Sequence, residues 1–538
     1  MTSLETRSPE PIASNGTGPA PPDALQSVPG LVLPVPPSDT EKTSYVHRDL
    51  PVLVGSSLLS MSMLLISQAH FLGLNRWLLL FAPFLTFTVA YFLISLRVNL
   101  TSHDFDLVLH EKLVTSWHPT SFPSVDILLP ICGESPAVLS NTWTHVQALR
   151  SRYKGDLKVY VLDDGDSPEA RALAGRFDFQ YSVRANRGWF KKAGNLRHGY
   201  QLSSGEFVVI FDADFAPRPD FLNELLPYMA DDPQLGIVQS PQYFRFDKRQ
   251  SWMERGAGAV QELFYRVVQV SRDRLNGAIC VGSCAVYRRA ALNSIGGTAL
   301  IEHSEDVHTG FDLAGAGWKL RYVPLPLATG LCPSEPDAFI SQQYRWCSGS
   351  MSLLSSRKFW RTRLAISTRL CYFSGFCYYL HTAVFSLVAP LIPIVLVVAM
   401  PERVQLQNYL WIIPSTVYNL IVFPLWNRGR YGPEALMAKT LYGWAHLFAI
   451  WDALRKRTLG WQPTGGHATG RKTNRVWIAI LVWGCTTSAV WVGASAFRMT
   501  QYNPVSFSFL LFAGVLYSGV IAMVLASGAQ ARRLASES

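Results

Sequence analysis

A chain of 538 residues is too long for one ordinary domain, and its balance of 49% apolar to 16% charged residues is that of a membrane protein with a soluble part. The formal net charge is +10, yet the basic residues crowd beside apolar segments, in "NRGRYG" (427–432), "ALRKRTLG" (453–460) and "GRKTNR" (470–475), which favours an anionic membrane face and argues against nucleic acid as a partner. The eight cysteines, at 132, 280, 284, 332, 347, 371, 377 and 485, form no pair of CxxC motifs and read as small buried residues, supporting neither a disulfide framework nor a zinc site.

In chain order, residues 1–45 are rich in Pro, Ser and Gly, lack apolar periodicity and carry no signal-peptide pattern, so the sequence predicts disorder there. Two apolar spans follow within 51–96, at 51–70 and 77–96, each long enough to cross a bilayer core that takes ~20 helical residues. Between 97 and 350 charge density rises. Short apolar runs, "SVDILLPI" (124–131), "LKVYVLDDG" (157–165), "FQYSVRA" (179–185), "FVVIFDAD" (207–214) and "GIVQSPQYF" (236–244), alternate with helical patterns, which predicts a mostly parallel α/β sheet. Residues 351–379 and 435–454 carry Arg, Lys or Asp among apolar residues and read as interfacial helices. Apolar spans resume at 380–400 and 408–426 (the 380–426 pair) and again at 476–497 and 504–527 (the 476–527 pair). With six spans, the basic loop 427–475, the tail 528–538, the N-terminus and the domain all fall on one side, and the positive-inside rule makes that side the cytoplasm.

Ligands in open α/β sheets bind at the carboxyl ends of strands. Here two strands end in acids, Asp163 and Asp164 in "VLDDGD", and Asp212 and Asp214 in "IFDAD". Two hard oxygen ligands one residue apart suit a divalent cation that also grips a diphosphate; a solvated Asp-rich turn, or a phosphatase loop, would show the same pair. Glu305 and Asp306, in "EHSEDVHTGFDLAGAGWKL" (302–320), stand at the start of a helical pattern, where carboxylates serve as caps or as bases. "SQQYRWCSG" (341–349) puts Gln342, Arg345 and Trp346 within one turn, able to hydrogen-bond, to pair with phosphate and to stack on a sugar, or else to anchor an interfacial helix.

In order and spacing, "VLDDGD", "FDADF", "SED" and "QQYRW" resemble the D, DxD, TED and QxxRW signature of processive family 2 glycosyltransferases, and the chain from 50 to 527 resembles a cellulose synthase catalytic subunit. "PICGES" (130–135), "KKAGN" (191–195), "QSPQYF" (239–244) and "VGS" (281–283) match lesser motifs, whereas Ser304 stands where Thr is usual. The resemblance implies a GT-A type α/β domain inserted in a multi-span α-helical membrane region. It implies that Cys132, Glu134, Asp163, Asp164 and Lys192 surround uridine and phosphates, that Asp212 and Asp214 hold a UDP-sugar diphosphate and a Mg2+ or Mn2+ ion, and that Asp306, beside Glu305, is the general base. Gln342, Arg345 and Trp346 would bind pyrophosphate and acceptor sugar, and Gly282 and Ser283 would border the acceptor. "LGWQPTGG" (459–466) resembles a gating loop through Trp461 and Thr464, with Pro463 and Gly466 replacing the usual Val and Lys.

The expected activity is therefore polymerisation of glucose from UDP-glucose into a β-1,4-glucan and its export across the plasma membrane, with the growing glycan and lipid as partners and room for accessory secretion subunits or self-association. Mixed-linkage glucan, chitin, hyaluronan or mannan are alternative products, and an inactive membrane scaffold is the alternative of a different class. No cyclic di-GMP-binding barrel is expected, because "GWQPTGGHATGRKTNR" passes straight into the span at 476.

Overall fold

The computed structural model describes residues 32–46, 50–100, 105–427, 432–457 and 471–537. Among the described residues there are ten strands, of which the five apolar runs supply β1–β4, β6 and β7: β1 Val125–Ile131, β2 Leu157–Asp163, β3 Gln180–Ser182, β4 Phe207–Ile210, β5 Ala216–Pro217, β6 Leu235–Gln239, β7 Gln242–Tyr243, β8 Ala285–Arg288, β9 Lys319–Tyr322 and β10 Ala328–Thr329. Seven form one sheet in the order β3-β2-β1-β4-β8-β6-β9, and β5-β10-β7 form a small second one. Both faces of the large sheet are covered. Ile127 and Leu129 pack with Trp143 and Val146 on one side, while Leu128 packs with Tyr160, Leu162 and Leu196 on the other. Strands buried on both faces must be apolar throughout, which is why their sequences run on instead of alternating.

β1 pairs parallel with β2 and β4, so all three deliver their carboxyl ends to one edge of the sheet. β8 is antiparallel to β4, with Ile210 opposite Ala285. The turn before β8, which holds "VGS", therefore reaches the same edge as "DAD", which follows β4.

The expectation of disorder over 1–45 is corrected for residues 32–46, which lie across the domain. The carbonyls of Pro34, Pro36 and Pro37 accept hydrogen bonds from Asn141 (2.8 Å), Arg245 (3.0 Å) and Arg218 (2.6 Å). Arg245 also donates to both Glu41 oxygens at 2.7 and 2.6 Å, and Tyr45, almost wholly buried, donates to Glu262 at 2.9 Å. Prolines restrict the chain before it docks, so less entropy is lost on ordering, and their carbonyls remain free to accept.

Among the described residues, five helical stretches are long and apolar enough to cross a membrane: Leu50–Gly73, Arg76–Asn99, Ile366–Ala399, Thr473–Arg498 and Pro504–Gln530. Two expectations change. Residues 366–379 are not a separate interfacial helix but the first part of the 34-residue stretch Ile366–Ala399. Two of their polar side chains are satisfied by protein: Thr368 donates to the Leu275 carbonyl at 3.2 Å and Ser374 meets Asn99 at 3.0 Å. The span expected at 408–426 is broken, with a 3-10 turn Leu406–Trp411 followed by the short apolar stretch Ile413–Trp426. Pro414 has no N–H to continue a helix from the preceding turn, so the helix restarts there.

Candidate active site

The strand ends at Asp163 and Asp164 are closed by internal partners. Asp163 accepts from the Gly165 and Ser167 amides at 2.6 and 2.9 Å and from the Tyr181 hydroxyl at 2.7 Å. Asp164 takes a two-pronged pair from Arg184, both contacts at 2.6 Å, and Arg184 also grips the carbonyls of Trp189 and Lys191 at 2.7 and 3.1 Å. Both acids thus shape the loops around the site, and Asp163 is fully buried. Arg184 escaped sequence analysis, although it lies on the run "FQYSVRA" that leaves β3.

Asp212 and Asp214, by contrast, remain open. The Asp212 amide donates to the Ser283 hydroxyl at 3.0 Å, and Lys192 is paired with the Asp212 carboxylate. Ser283 is fully buried. It holds the turn that carries the acid pair, because β8 brings it under β4. Burial, with the negative charge of Asp212, pushes Asp214 up to about 7. Burial and the charges of Asp212 and Asp163 likewise raise Glu134 against the amides of Cys132 and of Glu134 itself; the Cys132 amide donates to the Glu134 carboxylate at 2.6 Å.

Lys192 ties this edge to the helix Glu305–Gly315. Its ammonium lies 3.7 Å from Glu305 and within electrostatic reach of Asp306. Burial alone would lower its pKa, but Asp212, Glu305 and Asp306 together hold it well above the usual lysine value. Asp306 is pushed up to about 7 by burial and by the neighbouring Glu305. A Cβ on Gly282, whose φ is +77°, would sit 3.0 Å from the Asp306 Cβ, so only glycine lets the "VGS" turn close over this carboxylate.

The helices Lys191–Leu202 and Glu305–Gly315 both start from a residue in the left-handed region, Phe190 (φ 48°) and Ser304 (φ 56°). Strain of this kind persists where surrounding structure enforces it. At Ser304 the enforcement comes from the helix Pro336–Ser355, whose Gly349 has no side chain and so leaves room for the Ser304 hydroxyl. That helix carries Gln342, Arg345 and Trp346. Burial lowers Arg345 to about 10, opposed by Glu305 and Asp212, so it stays cationic at neutral pH and belongs to the same electrostatic cluster. The Gln342 Oε1 is enclosed without a hydrogen-bond partner among the described residues, and Trp346 is half-buried one turn along. Trp461 and Thr464 lie outside the described residues.

The structure therefore brings Glu134, Lys192, Asp212, Asp214, Glu305, Asp306 and Arg345 into one charged pocket at the sheet edge. Residues 207–426 match the profile of "Glycosyl transferase family group 2". The cellulose synthase catalytic subunit [UDP-forming] of Pseudomonas fluorescens is 31% identical over 309 residues, 56% of this chain and 41% of that protein. Cellulose synthase 2 of Novacetimonas hansenii is 34% identical over 266 residues, 48% of this chain and 16% of that protein. The chain thus spans less than half the length of these relatives. Among solved structures, a mannosyltransferase from Pyrobaculum calidifontis in complex with GDP-Man and Mn2+ aligns at 16% identity and a TM-score of 0.45, covering 69% of this chain and 99% of that one. Residues 207–426, which include the acid pair after β4 and the helices carrying Asp306 and Arg345, are thus similar to family 2 glycosyltransferases. Over about half of its length the chain is similar to cellulose synthase catalytic subunits, and it carries helices long enough to cross a membrane.

Proposed function

We propose that this protein polymerises glucose from UDP-glucose into a β-1,4-glucan and passes the polymer across the plasma membrane, with its catalytic domain in the cytoplasm. The observation that carries the catalytic part is Asp306: a carboxylate whose affinity for a proton is tuned close to neutrality, held by Gly282 in the same pocket as the acid pair after β4. A base so tuned is partly ionised at neutral pH and basic enough to accept a proton. As the acceptor hydroxyl attacks C1 of the sugar with inversion, its proton passes to Asp306 and the C1–O bond to UDP breaks. Lys192 and Arg345 stabilise the negative charge that grows on the departing diphosphate.

Asp212 and Asp214 suit a divalent cation such as Mg2+ or Mn2+. Asp214 is half-buried and repelled by Asp212, and a cation relieves that repulsion. Among the described residues no group of three or more His, Cys, Asp or Glu is placed to hold a metal ion alone, so the donor diphosphate would complete the set. When bound, the cation neutralises charge on that diphosphate.

The placement of the helix Glu434–Leu454 on the domain's side of the bilayer is supported by its packing against Pro336–Ser355 and Trp252–Leu263. Purified protein in proteoliposomes, supplied with UDP-glucose and then with each other UDP-sugar, tests the reading. UDP release with a product cleaved by a β-1,4-glucanase is expected. Turnover of none of these donors would exclude it.

A further inference from the structure

We propose that His446 and Asp452, on the helix Glu434–Leu454, are positioning residues that fix the register of the helix Pro336–Ser355, and with it Arg345 and Trp346, against the membrane helices. This rests on the glycosyltransferase reading above.

Between Gln342 and Arg345 stand Gln343 and Tyr344, both buried away from the pocket. Each is hydrogen-bonded to Glu434–Leu454, and each of those partners is bonded in turn to a different membrane helix. Gln343 Oε1 accepts from His446 Nε2 at 3.3 Å, while His446 Nδ1 accepts from the Thr382 hydroxyl at 2.7 Å, on Ile366–Ala399. Burial pushes His446 down to about 3, so the ring is neutral and can donate at one nitrogen and accept at the other. The Tyr344 hydroxyl donates to Asp452 Oδ2 at 2.8 Å, and Arg475, on Thr473–Arg498, donates to both Asp452 oxygens at 3.1 and 2.6 Å. Burial alone would raise the Asp452 pKa, but the bonds from Arg475 and Tyr344 hold it below the ordinary value.

A second tie lies on the same face. Trp477 Nε1 donates to Asp337 Oδ1 at 2.6 Å. Asp337 precedes Tyr344 by two helical turns, so Thr473–Arg498 holds Pro336–Ser355 at two points along one side. Apolar packing alone tolerates small slips, whereas directional bonds to a buried carboxylate do not. A shift of about 1 Å in a positioning element costs on the order of 10²-fold in rate. Lys192, Asp212 and Asp214 stand on other elements, so those donor contacts survive while Arg345 and Trp346 drift.

The variants Asp452→Asn, Tyr344→Phe and Thr382→Val, each in the full chain in proteoliposomes, test this. Polymer synthesis is expected to fall about tenfold or more with the donor KM near wild type. The lost transfer should reappear as hydrolysis, UDP-glucose and water giving UDP and glucose, so the ratio of polymer to free glucose drops. Arg475→Lys, which keeps one bond to Asp452, should restore part of the ratio lost in Arg475→Ala. Hydrogen exchange along Pro336–Ser355 should quicken in Asp452→Asn while β1 and β4 stay protected, a readout independent of turnover. Polymer and UDP release falling in the same proportion, with exchange quickened everywhere, would mean a merely structural role and overturn the proposal. So would an unchanged ratio with unchanged exchange. A wild-type chain that turns over no UDP-sugar overturns the glycosyltransferase reading instead, and the exchange experiment then decides the register claim by itself.

Discussion

Two strands of one sheet end in paired acids, and the pairs are built in opposite ways. After β2, Asp163 has three donors and Asp164 a two-pronged arginine, so both charges are spent inside the protein. After β4, Asp212 shares one lysine with Glu305, and Asp214 is pushed up to about 7 by burial and by its neighbour. Equal residue types at equivalent strand ends thus divide the work. One pair makes a rigid wall, and the other keeps an unsatisfied charge for something that arrives from outside.

The largest effect should come from the open side. Asp306→Asn removes the proton acceptor and leaves the wall intact, so polymer synthesis should fall ~10²- to 10⁴-fold while UDP binding, read by calorimetry, stays near wild type. Retention of a tenth of the activity would count against Asp306 as base.

Thermal unfolding sharpens the contrast next. Asp164→Ala strands the buried Arg184 guanidinium and should cost ~3–5 kcal/mol of stability, whereas Asp214→Asn removes a repelled charge and should leave Tm at or above wild type. It should nevertheless weaken donor binding, and EDTA should mimic that loss. Equal destabilisation by both variants would erase the distinction between the two strand ends.

A pH profile offers a smaller signal. Asp306 must be ionised to accept a proton, and its pKa is raised, so kcat/KM should fall about tenfold per unit as pH drops below about 7 and level off above it. Burial causes most of that rise and Glu305 the next part, so Glu305→Gln should move the acid limb to lower pH. A limb that stays in place would detach Glu305 from the base.

The smallest effect concerns a third, well-partnered acid. Burial alone would raise Glu41, but Arg245 and the Ser38 amide bring it down to about 2. A depressed carboxylate stabilises above its unfolded pKa, and that contribution is lost as pH falls from the ordinary value towards about 2. Glu41→Gln should therefore cost about 1 kcal/mol at neutral pH and make residues 32–46 easier to cleave with protease. Unchanged cleavage would show that the proline carbonyls hold the segment alone.

The sequence made β1, β2 and β4 legible because strands buried on both faces leave uninterrupted apolar runs, and the acids that follow them stood out as charge after apolar run. It concealed β8, whose "AVYR" is short and follows "VGSC", and so concealed that Ser283 would lie beneath Asp212. It also concealed the docking of 32–46, because that segment is held by carbonyls and ion pairs that leave no periodic trace, apart from the capping box of Ser38 and Glu41. The segment 366–379 misled through Thr368, Arg369 and Ser374, whose polarity suggests an interface. Two of these three bond to protein groups that no local pattern could reveal: Thr368 to the Leu275 carbonyl and Ser374 to Asn99.

The contact of Ser304 with Gly349 has a consequence for descent. "SED" and "QQYRWCSG" are usually thought of as separate words of a signature, each free to drift within its own limits. Here the hydroxyl at 304 occupies the space that a side chain at 349 would need, and the left-handed backbone at 304 sets the first turn of the helix that presents Asp306. A lineage that gains a side chain at 349 must move the residue at 304, and one that returns to Thr at 304 must find space for a methyl group beside 349. The two motifs are thus heritable as one unit, and sequences descending from this chain should change at 304 and 349 together or at neither.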